Sequence, residues 1–212
     1  MNSGLSEIKN KNIPLRQNPK GKQRKRIAIF ASGAGSNTQK IIDHFKESKT
    51  VETALIICNN PKAGVISIAS KERIPVLYIE KNKFAETGYI KEIKDYAIDF
   101  IILAGFLWKV PLSLIHSFPK KIINIHPALL PDFGGKGMYG HAVHAAVITA
   151  GKQESGITIH YVDEKYDHGT IIFQARCKVE KEETPDSLAQ KIHLLEHTFY
   201  PQKIEDILKH FE

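Results

Sequence analysis

From Arg26 onward, short apolar runs of strand character alternate with stretches of helical period, and this alternation limits the fold more than any other feature of the 212-residue chain. RIAIFAS is followed by a glycine turn and a helix near 37–47, ETALIICN by a helix near 63–72, and PVLYI by a helix over FAETGYIKEIKDYA. DFIILAG, a short helix in VPLSLIHSF and the strand KIINIH continue the series. Strands and helices in strict alternation predict an α/β fold: a mainly parallel twisted sheet with helices on both faces. Beyond Pro127 the texture changes. ALLPDFGGKGMYG reads as a mobile, glycine-rich loop, HAVHAAVITAG as a helix closed by Gly151, and SGITIHYVD and TIIFQARCKV as an antiparallel hairpin joined through EKYDHG. A long final helix starts at the capping signal Thr184-Pro185-Asp186-Ser187, with Pro201 expected to kink or interrupt it.

One domain over residues 26–212, preceded by a basic and disordered leader over 1–25, accounts for the charge. Residues 1–26 hold eight of the thirty Lys and Arg and one of the twenty-three Asp and Glu, a balance equal to the +7 of the whole chain. The body is therefore neutral, which argues against a domain-wide nucleic-acid face. The leader has no apolar run of membrane-spanning length, so no membrane partner is expected. Cys58 and Cys177 are far apart, lie inside apolar runs and form no CxxC pair, which reads as two buried free thiols in a reducing cytoplasm.

Three places could carry chemistry. SGAGSN, residues 32–37, sits between a strand and a helix, where backbone amides and the helix's positive end would hold an anion such as a phosphate. Thr38 occupies the third glycine position of a dinucleotide fingerprint and Glu52 begins the second strand instead of ending it, so a phosphate monoester fits better than NAD. A tight turn that simply needs small residues is the alternative. In INIHP, Asn124 and His126 share one face of a strand that Pro127 ends, which puts both at a carboxyl edge where such sheets bind ligands. Asp167 in YDHGT supplies a carboxylate. Singly, each is an ordinary cap or turn residue. Together, an amide donor, an imidazole and a carboxylate suit a negatively charged tetrahedral oxygen, with no nucleophile motif nearby, so direct transfer between two bound substrates is expected. His141 with His144, and His193 with His197, share helix faces but have no third ligand, so no metal is expected.

SGAGSN, LAGF at 103–106, NIHPALLP at 124–131, GITIHYVDEKYDHG at 156–169, IIFQA at 171–175 and EHTFYP at 196–201 occur in an order that resembles the glycinamide ribonucleotide transformylases, short monofunctional formyltransferases of purine biosynthesis. The resemblance runs from about Arg26 to the C-terminus. It implies a formyltransferase-type, Rossmann-like sheet and formyl transfer from 10-formyltetrahydrofolate, a reduced folate, to the glycine amine of glycinamide ribonucleotide. It also implies roles. Asn124, His126 and Asp167 would be catalytic; Gly35, Ser36 and Asn37 would hold the phosphate, and Glu196 the ribose. Leu107, Trp108, Lys109 and Val110, with Val162, Asp163 and Tyr166, would hold the folate. His160 lines up with a histidine near the catalytic centre, and either His141 or His144 would take the place of a loop histidine. A cytoplasmic monomer or weak homodimer is implied. Formyltetrahydrofolate deformylase shares the core but has no need of a phosphate cradle, methionyl-tRNA formyltransferase adds an RNA-contacting domain, and a non-catalytic nucleotide-binding protein would not need the Asn, His and Asp together.

Overall fold

The computed structural model describes residues 24–211, so most of the expected leader lies outside the described residues; its last residue, Lys25, already belongs to the first strand. The first half of the chain alternates as the sequence predicts. β1 (Lys25–Ala31) leads to α1 (Ser36–Phe45), β2 (Val51–Cys58) to α2 (Val65–Glu72), and β3 (Val76–Tyr78) to α3 (Lys81–Thr87) and α4 (Ile90–Asp95). β4 (Phe100–Leu103), α5 (Leu112–Ser117) and β5 (Ile122–His126) complete this half, and α6 (His141–Thr149), β6 (Glu154–Tyr161), β7 (Ile171–Lys178) and α7 (Pro185–His210) follow.

The seven described strands form one sheet in the order β3-β2-β1-β4-β5-β6-β7, parallel from β3 to β5 and antiparallel at β5–β6 and β6–β7. Ile27, Ile29 and Ala31 face α1, α2, α6 and α7, whereas Ala28 and Phe30 face α3, α4 and α5, so from Ile27 to Ala31 the central strand is apolar on both sides and buried. A parallel strand sandwiched between helices has to be apolar in this way.

Three expectations change. The single helix over FAETGYIKEIKDYA is two, because Gly88 and Tyr89 both take left-handed backbone, Gly88 closes α3 by donating its N–H to Phe84 O, and the buried Tyr89 accepts the Glu80 N–H at its hydroxyl. α7 runs through Pro201 without interruption: Tyr200, Pro201 and Ile204 are all buried against the sheet, and packing on both sides of the proline holds the helix together. Both cysteines are free, but only Cys58 is fully buried; Cys177 is half-buried because β7 is the sheet's edge. The capping box at Thr184 and Ser187 is formed as expected.

Candidate active site

The sheet order reverses between β1 and β4: from β1 the chain moves outward through β2 and β3, then returns to β4 on the other side. Connections leave the sheet in opposite directions there, which opens a crevice beyond the carboxyl ends. A cavity of about 730 Å³ occupies that crevice, lined from the ends of β1, β4 and β5, the 134–140 loop, α6, the 162–167 turn and α7.

At one end lies the turn Ser32–Asn37. Gly35 takes φ +84 as the N-cap of α1, and a Cβ there would lie 2.9 Å from both Val65 and Ile68 side-chain carbons, so the turn admits only glycine. Its geometry is fixed from both sides: Val65 N–H donates to Gly33 O (3.2 Å), Ser32 N–H to Gly105 O (3.1 Å) and Leu107 N–H to Ser32 Oγ (3.1 Å). No acidic residue occupies the first turn of α1, which leaves its amide end electropositive. Beside this end, Asn37 Nδ2 donates to Glu196 Oε2 (2.9 Å), while Asn37 Oδ1 is buried with no partner among the described residues. Glu196 is 6% exposed, and burial raises its carboxyl above the ordinary value against the opposing pull of Asn37 and His193. Four residues on, Tyr200 is fully buried and donates its hydroxyl to Leu103 O (2.8 Å) and Ile123 O (3.2 Å), tying α7 to β4 and β5.

At the centre, Asn124, His126, His160 and Asp167 converge. The β5–β6 register sets Asn124 directly opposite His160, and Asn124 Nδ2 donates to His160 Nε2 at 3.1 Å. His160 Nδ1 donates to Tyr161 O at 2.8 Å, and its Nε2 also lies 3.7 Å from Asp167 Oδ1. His126, 3% exposed, donates from Nε2 to Phe133 O (2.8 Å) and turns Nδ1 toward Asp167 Oδ2 at 3.5 Å. Asp167 sits in left-handed backbone at φ +54, and its Oδ2 accepts the Gly135 N–H at 2.8 Å; a Cβ at Gly169, two residues on, would overlap the Tyr161 carbonyl.

Burial dominates at His126 and holds its imidazole below the ordinary value despite the Asp167 carboxylate. The Asp167 carboxyl is held low: burial opposes ionisation, but His160, His126 and the Gly135 N–H together outweigh it.

At the far end, Phe106 and Trp108 pack edge-on at 6.2 Å over Phe84, and Lys109 Nζ lies 5.9 Å from the Tyr166 ring centroid. Leu107, Val110, Val162 and Asp163 also line the cavity. Of the histidines left open by the sequence, His144 lines it and His141 does not: His141 is exposed and faces Asp186 at 3.6 Å. His144 is 3% exposed, its Nδ1 has no partner among the described residues, and burial with the neighbouring His193 pushes its imidazole down to about 4. His193, which shares a helix face with His197, also lines the cavity, one helical turn before Glu196. Its spacing of three from Glu196 was the available signal. Among the described residues no group of three or more His, Cys, Asp or Glu could hold a metal, and no helix is long and apolar enough to cross a membrane.

A family model described as formyl transferase matches residues 25–204. The chain belongs to the formyl transferase family. It is 39% identical to the phosphoribosylglycinamide formyltransferase of Bacillus subtilis over 190 residues, covering 87% of this chain and 95% of that one. It is 40% identical to the chloroplastic phosphoribosylglycinamide formyltransferase of Arabidopsis thaliana over 86% of its own length. The chain spans less than two thirds of the chloroplastic relatives it matches, 65% and 61%. A crystal structure of phosphoribosylglycinamide formyltransferase from Bacillus halodurans superposes with a TM-score of 0.80 at 36% identity, covering 89% of this chain and 97% of that one. The formyl transferase fold, with its antiparallel last strands and long final helix, is thus the fold described above.

Proposed function

We propose that this formyl transferase moves the formyl group of 10-formyltetrahydrofolate to the glycine amine of glycinamide ribonucleotide. The observation that carries the reading is the convergence of Asn124, His126 and Asp167 in the same cavity as the glycine turn: an oxyanion site and an anion cradle share one crevice. Gly35, Ser36 and Asn37 would take the phosphate on the α1 amides. Glu196 would take the ribose hydroxyls, which could also satisfy the unpartnered Asn37 Oδ1. The pterin would lie against Leu107, Trp108, Lys109 and Val110 and against Val162, Asp163 and Tyr166.

In the reaction the neutral amine attacks the formyl carbon. The carbonyl oxygen becomes an anion against the Asn124 amide, whose second N–H is free of His160, and against His126. The developing anion and the Asp167 carboxylate, 3.5 Å away, together stabilise His126 as an imidazolium and offset the proton affinity lost on burial. One proton leaves the attacking nitrogen and one reaches the departing folate nitrogen as the old C–N bond breaks, with Asp167 as the relay. His160 orients Asn124 and neighbours Asp167 Oδ1 at 3.7 Å. On this reading the chain acts as one domain, in the cytoplasm, as a monomer or weak homodimer. The test is release of tetrahydrofolate from 10-formyltetrahydrofolate, followed by absorbance with and without glycinamide ribonucleotide. Release that requires the ribonucleotide is expected; equal release without it would make water the acceptor and the protein a deformylase.

A further inference from the structure

Opposite His126 in the sheet register stands Thr158 of β6, and opposite Thr158 stands Gln174 of β7, so the three side chains form one row across three strands on a single face. His126 lines the cavity; the other two do not. Thr158 is fully buried and Gln174 half-buried, and both reach for the chain that leaves β5. Thr158 Oγ1 donates to Ala128 O (2.7 Å) and accepts the Leu130 N–H (3.0 Å), while Gln174 Nε2 donates to Leu130 O (2.9 Å) and to Thr158 Oγ1 (2.9 Å). The hydroxyl thus gives its one proton and accepts two, and both amide protons of Gln174 are in use, so the pair is saturated in this arrangement. Leu130 is gripped at its N–H and at its carbonyl.

The stretch that follows Leu130 orients the catalytic pair. Phe133 O accepts from His126 Nε2 and Gly135 N–H donates to Asp167 Oδ2, both at 2.8 Å. Between them, Gly134 is pressed between Leu130 and Asp167: a Cβ there would lie 2.6 Å from Leu130 Cδ2 and 3.1 Å from Asp167 Cβ. Residues 133–135 belong to no helix or strand, so contacts of this kind set their position. A shift of Leu130 therefore reaches His126 and Asp167 through the chain and through the Gly134 contact.

Resting on the formyl-transfer reading, we propose that Gln174 and Thr158 are positioning residues for the transfer: by gripping Leu130 they hold Phe133 and Gly135 where these orient His126 and Asp167. Displacing catalytic groups by about 1 Å slows a reaction by about a hundredfold, so partial release of Leu130 should slow transfer by about tenfold or more.

Gln174→Met keeps the length of the side chain and removes both donors. Trp108 is the chain's sole tryptophan and lines the cavity, so its fluorescence reports folate binding without turnover. Well below the melting temperature, single-turnover transfer by Gln174→Met should slow by about ten- to a hundredfold with folate binding within about threefold of the unaltered protein. The pH profile separates positioning from stability. The Gly135 N–H helps to hold the Asp167 carboxyl low, so loosening Gly135 should move the acid limb of the transfer rate to higher pH, which a loss of stability alone does not do. Arg176→Gln, two residues along β7 and paired with Glu154 at the surface (3.0 Å), is the control and should leave rate and limb unchanged. Gln174→His, which retains a single ring N–H, should fall between the two and serves as the test if Gln174→Met does not fold. A variant at Gln174 that melts lower yet transfers at the unaltered rate, with its acid limb unmoved, would overturn the proposal and leave the pair a brace for the sheet edge. Absence of ribonucleotide-dependent transfer in the unaltered protein would instead remove the formyl-transfer reading, and the positioning role with it.

Discussion

Replacing Gly35 by alanine tests whether the turn after β1 is built as described. The residue sits at φ +84, where an alanine costs about 1 kcal/mol. Its new Cβ would also lie 2.9 Å from Val65 Cβ, 3.0 Å from Val65 Cα and 2.9 Å from Ile68 Cδ1. Ile68 can swing away, but Val65 opens α2 and donates its N–H to Gly33 O, so its backbone cannot retreat without breaking that bond. Overpacking of this kind adds about 1–3 kcal/mol. The total, about 2–4 kcal/mol, should lower the melting temperature of a domain this size by roughly 5–15 °C. Circular dichroism melts of the variant beside Gly33→Ala make the comparison internal, because a Cβ at Gly33 meets nothing within 4 Å. Gly33→Ala should melt within about 2 °C of the unaltered protein. If Gly35→Ala melts with it, the backbone of the turn has been misread, and so has the anion cradle made from it.

Three other outcomes follow from the same geometry. His144 binds its proton only near pH 4 when folded, whereas the unfolded chain binds it near 6.5, so stability is full above about pH 6.5 and falls as pH drops toward about 4 by on the order of 3 kcal/mol. Urea unfolding of His144→Gln across this range should show a shallower decline, and an identical profile would remove His144 as its source. Tyr200→Phe deletes a hydroxyl shared by Leu103 O and Ile123 O and should cost about 1 kcal/mol, or roughly 2–4 °C in melting temperature, while turnover stays within about threefold; an unchanged melt would show that the hydroxyl does not hold β4 and β5 to α7. Glu196→Gln should raise the KM for the ribonucleotide about tenfold with kcat nearly unchanged, since a neutral amide accepts more weakly from ribose hydroxyls; a fall in kcat alone would place Glu196 in the chemistry instead.

Much of this was readable in advance because the determining interactions are local. Alternating runs such as RIAIFAS and ETALIICN reveal a parallel sheet by their period, and INIHP reveals a strand edge because Pro127 directly follows His126. What stayed hidden depends on partners distant in sequence. The Asn124–His160 bond exists because β6 pairs antiparallel to β5 in one particular register, and no spacing within either strand states that register. The place of His193 depends on how α7 crosses the cavity, and the continuity of α7 through Pro201 depends on the packing of Tyr200 and Ile204 in the core. The split between α3 and α4 was signalled by Gly88, but a single glycine within an otherwise helical period is compatible with either outcome. The lowered proton affinity of His126 is likewise a property of burial, which a strand pattern does not measure.

The account's central claim is that Asp167 acts on the reacting groups and not on the fold. Single-turnover formyl transfer by Asp167→Asn, with substrate binding followed through Trp108, tests it most directly. An asparagine preserves the shape and can still accept the Gly135 N–H, but it can neither stabilise an imidazolium at His126 as a carboxylate does nor relay a proton. Transfer should slow by about 10²- to 10⁴-fold with binding within about threefold of the unaltered protein. Transfer at a near-normal rate would contradict the account and take Asp167 out of the mechanism.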